Sequence, residues 1–284
     1  MKENNVLNYI GEVLKNMPDG WLNLTTHRLD IYDEQLAKVQ FLEHFEHLFN
    51  DLNSGTSALN ALPTAFDYIR LGHPLSCVLE WVIARLNSLD PNNIISFSSK
   101  TIPVLAILRA NLLEGKDTLI TYSGELPDAL DLHILRNVYG YTFDLKYVNN
   151  VSEIPVFHGS TIFITQQEDL YTLDLTPSID FFITIHPHTG SVLSVNGAHN
   201  ERYISDIQHV RRRESIAMTP ANCLATLRNL NKTSSIEMDR NAFETHKAQV
   251  LETIKSITGT PTKAVIGSSG LSIQYAIMMG LIHD

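Results

Sequence analysis

Ile94-Ile95-Ser96-Phe97-Ser98-Ser99-Lys100-Thr101-Ile102-Pro103-Val104-Leu105-Ala106-Ile107-Leu108 is the stretch on which the fold turns. A short apolar run of strand length, 94–97, gives way to a Ser/Lys/Thr loop. The loop leads into a helical segment, 101–113, with Pro103 in its first turn, where a missing N–H costs nothing. The same alternation extends outward in both directions. Before it, 76–88 reads as a helix that buries Val78, Leu79, Val82, Ile83 and Leu86. After it come a strand over 117–121, a helix over 126–139 ended by Gly140, and strands over 143–148, 161–165 and 181–185. Helices over 220–230 and 238–257 follow. Strand and helix in alternation predict an α/β fold, a mostly parallel sheet with helices on both faces.

The N-terminal part has a different rhythm. Val6, Leu7, Ile10, Val13 and Leu14 form one stripe of a helix over 5–17, and Leu36, Val39, Leu42, Phe45, Leu48 and Phe49 recur at helical spacing over 33–52. Phe41, Phe45 and Phe49 stack at intervals of four, a pattern of core or dimer contact. The stretch 54–64 reads as a loop. No internal repeat or low-complexity segment interrupts the chain.

Composition narrows the function classes. The 284 residues are 44% hydrophobic and 18% charged, as in a globular protein. A net charge of -10 leaves no broad basic surface for nucleic acid, and Arg211-Arg212-Arg213 reads as a helix face or salt-bridged patch. The two cysteines, Cys77 and Cys223, lack CxxC spacing, which fits a reducing cytoplasm and excludes a cysteine zinc site. No secretory signal and no apolar run of membrane-spanning length are expected.

Three places carry candidate chemistry. In Phe66-Asp67-Tyr68-Ile69-Arg70-Leu71-Gly72-His73-Pro74, Tyr68 and Arg70 offer a hydroxyl and a planar guanidinium fork that could grip one phosphate. Ser99, Lys100 and Thr101 lie between a strand and a helix, where a helix N-terminus receives an anion or a Ser/Thr side chain caps it. His186 and His188 flank Pro187, and His44 and His47 share a helix face. Neither pair has a third ligand in view, so no metal is expected. Gly267-Ser268-Ser269-Gly270 reads as a turn.

Taken in order, these pieces resemble the pyridoxal-phosphate enzymes of cysteine and methionine metabolism, the cystathionine gamma-synthase and lyase family. The family's phosphate-binding Tyr-Ser-Arg-x-x-Asn-Pro-Thr corresponds to Tyr68-Ile69-Arg70-Leu71-Gly72-His73-Pro74-Leu75. Its Leu-Glu corresponds to Leu79-Glu80, and its Phe-x-Ser-Gly-Met-Ala to Phe97-Ser98-Ser99-Lys100-Thr101-Ile102. Gly115-Lys116-Asp117 resembles its Gly-Asp. Met218-Thr219-Pro220 through Leu227-Arg228-Asn229-Leu230 resembles Leu-Ser-Pro followed by Leu-Arg-Gly-Leu, and Asp239-Arg240 falls on its Arg-containing helix. The resemblance spans about residues 65–257. It implies the large domain of a fold-type-I pyridoxal-phosphate transferase over 61–257, preceded by a helical segment, 1–60, and followed by a remnant of a C-terminal domain, 258–284. It implies Tyr68, Arg70, Ser99, Lys100 and Thr189 as cofactor-binding positions, with Tyr68 and Arg70 serving a partner subunit's site.

The departures from the pattern bear on the chemistry. The family's Schiff-base lysine stands in Ser-x-Thr-Lys. Here Pro187-His188-Thr189-Gly190 matches the threonine and puts Gly190 in the lysine's place. The carboxylate that pairs the pyridinium nitrogen falls at Thr165, and the segment between Val148 and Thr161 is too short for the family's intervening strand and helix. An amine and a carboxylate act as a unit in this chemistry, so losing either removes most of the turnover. The resemblance therefore implies a degenerate member with no catalytic residue at the lysine position, a non-catalytic subunit in a homo-oligomer or a hetero-oligomer with an active relative. The missing lysine leaves retention of pyridoxal phosphate open. Two alternatives stand beside this: an active C–S lyase or transsulfuration-type enzyme using Lys100 as substitute amine, and an anion or small-molecule binding module. Neither nucleic acid nor membrane is expected as a partner, and the cytoplasm is the expected location.

Overall fold

The computed structural model describes residues 2–23, 34–63, 65, 69–232, 240–259, 264–267 and 269–283. Its sheet has six strands: β1 (Ile94–Phe97), β2 (Thr118–Ser123), β3 (Asp144–Tyr147), β4 (Ser160–Gln166), β5 (Phe181–His186) and β6 (Gly190–Val195). They lie in the order β1-β6-β5-β4-β2-β3. The pairs β2–β3, β2–β4 and β4–β5 are parallel, and β6 is antiparallel to both β5 and β1. The α/β fold with a mostly parallel sheet is thus the one expected.

Ten helices surround or follow it among the described residues: α1 (Lys2–Asn16), α2 (Glu34–Asn50), α3 (Thr56–Asn60), α4 (Pro74–Leu86), α5 (Ile102–Glu114), α6 (Leu132–Asn137), α7 (Tyr203–Glu214), α8 (Pro220–Leu230), α9 (Arg240–Thr258) and α10 (Gly270–His283). Period-two alternation sorts the strand side chains. Ile95, Phe97, Ile162, Ile164, Phe181, Ile183, Ile185, Leu193 and Val195 face α5, α6 and α7. Ile94 and Val192 face α1, α2, α4 and α8, while Phe163 and Phe182 pack with Val148, Ile154 and Ile179. The aromatic stripe of α2 is core. Phe41 and Phe45 are fully buried, and Phe45 meets Trp81 edge-on at 5.2 Å. Fully burying one such side chain contributes roughly 1.5–3 kcal/mol.

Five segments depart from the sequence reading. The stretch 54–64 holds the short helix α3. The helix expected over 126–139 shrinks to α6, because Asp131 accepts from the amides of His133 and Ile134 and starts it there. Strand β6 was not anticipated, since Ser191 and Ser194 break its apolar run. Helix α10 was not anticipated, and α7 was read only at Arg211-Arg212-Arg213 as a helix face or salt-bridged patch; α7 buries Tyr203, Ile207, Val210 and Arg211.

Arg211 belongs to a buried clasp on the outer edge of β1. An edge strand presents unpaired N–H and C=O groups that must find partners. Here Lys38 Nζ donates to Ile94 O at 3.2 Å and to Pro91 O at 2.9 Å. Ser96 N donates to Glu80 Oε1 at 2.8 Å, and Arg211 donates to Ser96 O at 3.0 Å. The three charges pair with one another, Lys38 to Glu80 at 2.6 Å and Arg211 to Glu80 at 3.0 Å. Burial alone would raise the Glu80 carboxyl. Lys38 and Arg211 overcome it and hold the group below the usual carboxylate range. Side chains from α2, α4 and α7 thereby stand in for a neighbouring strand and fix β1 and the loop after it.

Candidate functional site

Parallel order brings the C-terminal ends of β2, β4 and β5 to one edge of the sheet. Strand β1 points the same way, because each is antiparallel to β6. In open α/β sheets this edge is where ligands bind. The loop 98–101, the strand ends at Ser123, Thr165 and His186, and the turn 187–189 all meet there.

Ser99 stands two residues before Thr101, the N-cap of α5. Its Oγ accepts from the amides of Thr101 and Ile102 at 3.2 and 3.1 Å, occupying the start of α5 that an anion would need. Its carbonyl accepts from Ser191 Oγ at 2.5 Å. Lys100 Nζ crosses the edge and donates to Pro187 O at 2.7 Å. Thr165 lies within hydrogen-bond distance of Ser123, Oγ to Oγ1 3.1 Å, so hydroxyls occupy the position compared with a ring-pairing carboxylate.

His186 and His188 do not form a metal pair. His186 Nδ1 accepts from the backbone amides of His188 and Thr189, each at 3.1 Å. That arrangement fixes the neutral ring with its proton on Nε2. Burial lowers the His186 pKa, the neighbouring His188 and Lys100 push it the same way, and Glu168 opposes them. Among the described residues no group of His, Cys, Asp or Glu could hold a metal ion. His44 and His47 are solvent-facing on α2.

Thr189 is buried, and its Oγ1 has no hydrogen-bond partner. Its carbonyl accepts from Asn222 Nδ2 of α8 at 3.0 Å. Gly190 follows with φ of +130°, and a Cβ placed on it would lie 2.1 Å from Phe97 O and 3.1 Å from Ser98 Cα. The obstacle is backbone, so no rotamer change relieves it. Any side chain at position 190 would have to displace β1.

Arg70 reaches the edge through its backbone. Its carbonyl accepts from Ala217 N at 2.9 Å, and Ala217 O accepts from Ser98 Oγ at 2.8 Å. Tyr68 lies outside the described residues. Of the turn expected at 267–270, Ser268 lies outside the described residues; Ser269 precedes α10, and its Oγ accepts from Ser272 N at 3.0 Å. The sequence reading missed Ser123, Glu168, Ser191 and Asn222. Strand register, the segment after β4 or α8 brings each of them to the edge.

The crevice therefore offers one amine, held by a carbonyl, beside a histidine held neutral. Position 190, to which the resemblance assigns a Schiff-base lysine, is closed by backbone, and the first amides of α5 are met by Ser99.

No protein-family model matches the chain, and no curated protein sequence matches it. Among solved structures, the metB protein of Corynebacterium glutamicum is similar at 12% identity and a TM-score of 0.43, over 90% of this chain and 70% of that one. Cystathionine gamma synthase of Xanthomonas oryzae pv. oryzae, solved with aminoacrylate and cysteine, gives 11% and 0.46 over 80% and 63%. Cystathionine gamma-lyase of yeast gives 10% and 0.48 over 79% and 63%. The chain thus spans a little under two thirds of the length of the last two. At such identities and TM-scores the likeness decides nothing about the chemistry of this chain.

Proposed function

We propose that the chain is a degenerate relative of the pyridoxal-phosphate enzymes of the cystathionine synthase and lyase family. It forms no internal Schiff base and acts as a non-catalytic subunit, paired with a second copy or with an active relative. The carrying observation is Gly190. The position that resemblance gives to the catalytic lysine meets Phe97 O at 2.1 Å from a would-be Cβ, so this register of β1 and β6 is incompatible with a side chain there. The exposed apolar side chains of α10, Leu271, Ile277, Met278, Leu281 and Ile282, support association.

A second reading has one observation in its favour: Lys100 is half-buried at the same edge, beside His186. One experiment separates the two. Purified protein is mixed with pyridoxal phosphate, its absorbance is recorded, and it is reduced with borohydride and mapped by mass spectrometry. The expected result is no imine band and no fixed pyridoxyl adduct, with Gly190→Lys gaining neither. A stoichiometric adduct on Lys100, abolished in Lys100→Ala, would overturn the proposal in favour of an active enzyme.

A further inference from the structure

The β5–β6 turn has a construction that the proposed function does not use. His186 Nδ1 accepts two amides of its own turn, those of His188 and Thr189. The carbonyl of Pro187, in the middle of that turn, is the acceptor for Lys100 Nζ. One neutral imidazole therefore holds the turn that holds the amine. We propose that His186 is an acid-released latch on Lys100: protonation at Nδ1 removes the acceptor, frees the turn and releases the ammonium from Pro187 O.

The proton balance is simple. One proton from solvent adds to the Nδ1 lone pair, converting an acceptor into a donor that now opposes two N–H groups. The buried amide of Thr189 and the partly buried amide of His188 lose their partner, which costs roughly 1–3 kcal/mol for the buried one unless the turn moves. The new imidazolium also repels the nearby Lys100 ammonium. The groups facing His186 are His188 on its own turn, Glu168 after β4, and Lys100 after β1. Of these, only Glu168 would favour the charged ring. The latch rests on the turn geometry alone and holds whether or not pyridoxal phosphate binds.

The test is amine labelling of the full chain with acetic anhydride, read by mass spectrometry as the ratio of Lys100 to the exposed Lys232. The ratio cancels the general loss of amine reactivity in acid. Fully buried Lys38 serves as an internal guard, since its labelling would signal global unfolding. As pH is lowered from about 7.5 to the point where Lys38 begins to label, the ratio is expected to rise about threefold or more in the wild type. In His186→Asn, an amide oxygen can take the same N–H groups without titrating, and the ratio should stay flat. A flat wild-type ratio, or an equal rise in the variant, would overturn the latch. Long-range nitrogen–proton NMR of the wild type decides the matter should the variant not fold. The expected spectrum has a bare Nδ1 at neutral pH and a titration midpoint shared with Lys100 labelling; a protonated Nδ1 at neutral pH would refute it.

Discussion

Two polar regions lie at the two borders of β1, and they are built on opposite rules. The clasp of Lys38, Glu80 and Arg211 is fully buried, and its charges meet one another and the free edge of the strand. The crevice of Ser99, Lys100, His186 and Thr189 is partly open. One of its hydroxyls has no partner, and its amine is tied only to a carbonyl. A buried charge must be paired almost completely or it destabilises the fold. Charge density therefore marks structure in this protein, while the crevice keeps an amine partly open to solvent.

Breaking the clasp should have the largest effect. Glu80→Ala leaves two buried cations facing each other and should cost about 3–5 kcal/mol in urea unfolding. Loss below about 1 kcal/mol would mean that the clasp is not buried in solution. Lys100→Ala, on the crevice side, should stay within about 1 kcal/mol.

The next largest effect concerns pH, through a neighbour of the clasp. His73 caps α4: its Nδ1 accepts from Ser76 N at 3.2 Å, and its Nε2 lies 2.7 Å from Met218 O. Burial pushes its pKa down to about 4, against weaker opposition from the Met218 hydrogen bond and from Glu80. The folded state thus binds this proton less readily than the unfolded chain. Its contribution is full above the unfolded value near 6.5 and is lost as pH falls towards about 4. The drop, of order 3 kcal/mol, should appear in denaturant midpoints taken across that window and should vanish in His73→Asn. An unchanged pH slope in the variant would remove His73 from the account.

The smallest expected effect sharpens the other side of the comparison. Thr189→Val replaces an unpartnered buried hydroxyl with a methyl and should change stability by less than about 1 kcal/mol, in either direction. A larger loss would show that Thr189 has a partner in solution.

Much of this was legible along the chain. Strands β1, β4 and β5 stood out because both faces of each are buried, which demands nearly continuous apolar runs. Helix α8 was legible at its observed bounds, 220–230, which the structure explains by its Thr219 cap and Pro220 start. Strand β6 was hidden because Ser191 and Ser194 are polar, yet Ser191 is satisfied by the carbonyl of Ser99 in another loop. The clasp was hidden because Lys38, Glu80 and Arg211 lie far apart in sequence, and each alone looks like a solvated charge.

Sequence by itself determined the alternating α/β order, the aromatic core stripe of α2 and the absence of an amine at position 190. These follow from local periodicity and residue identity, which need no neighbours. Tertiary structure alone decided that position 190 has no room for a side chain and that Lys100 hangs on a turn held by His186. Those outcomes depend on strand register, where a shift of one residue exchanges the two faces of a sheet, and no single segment carries that information.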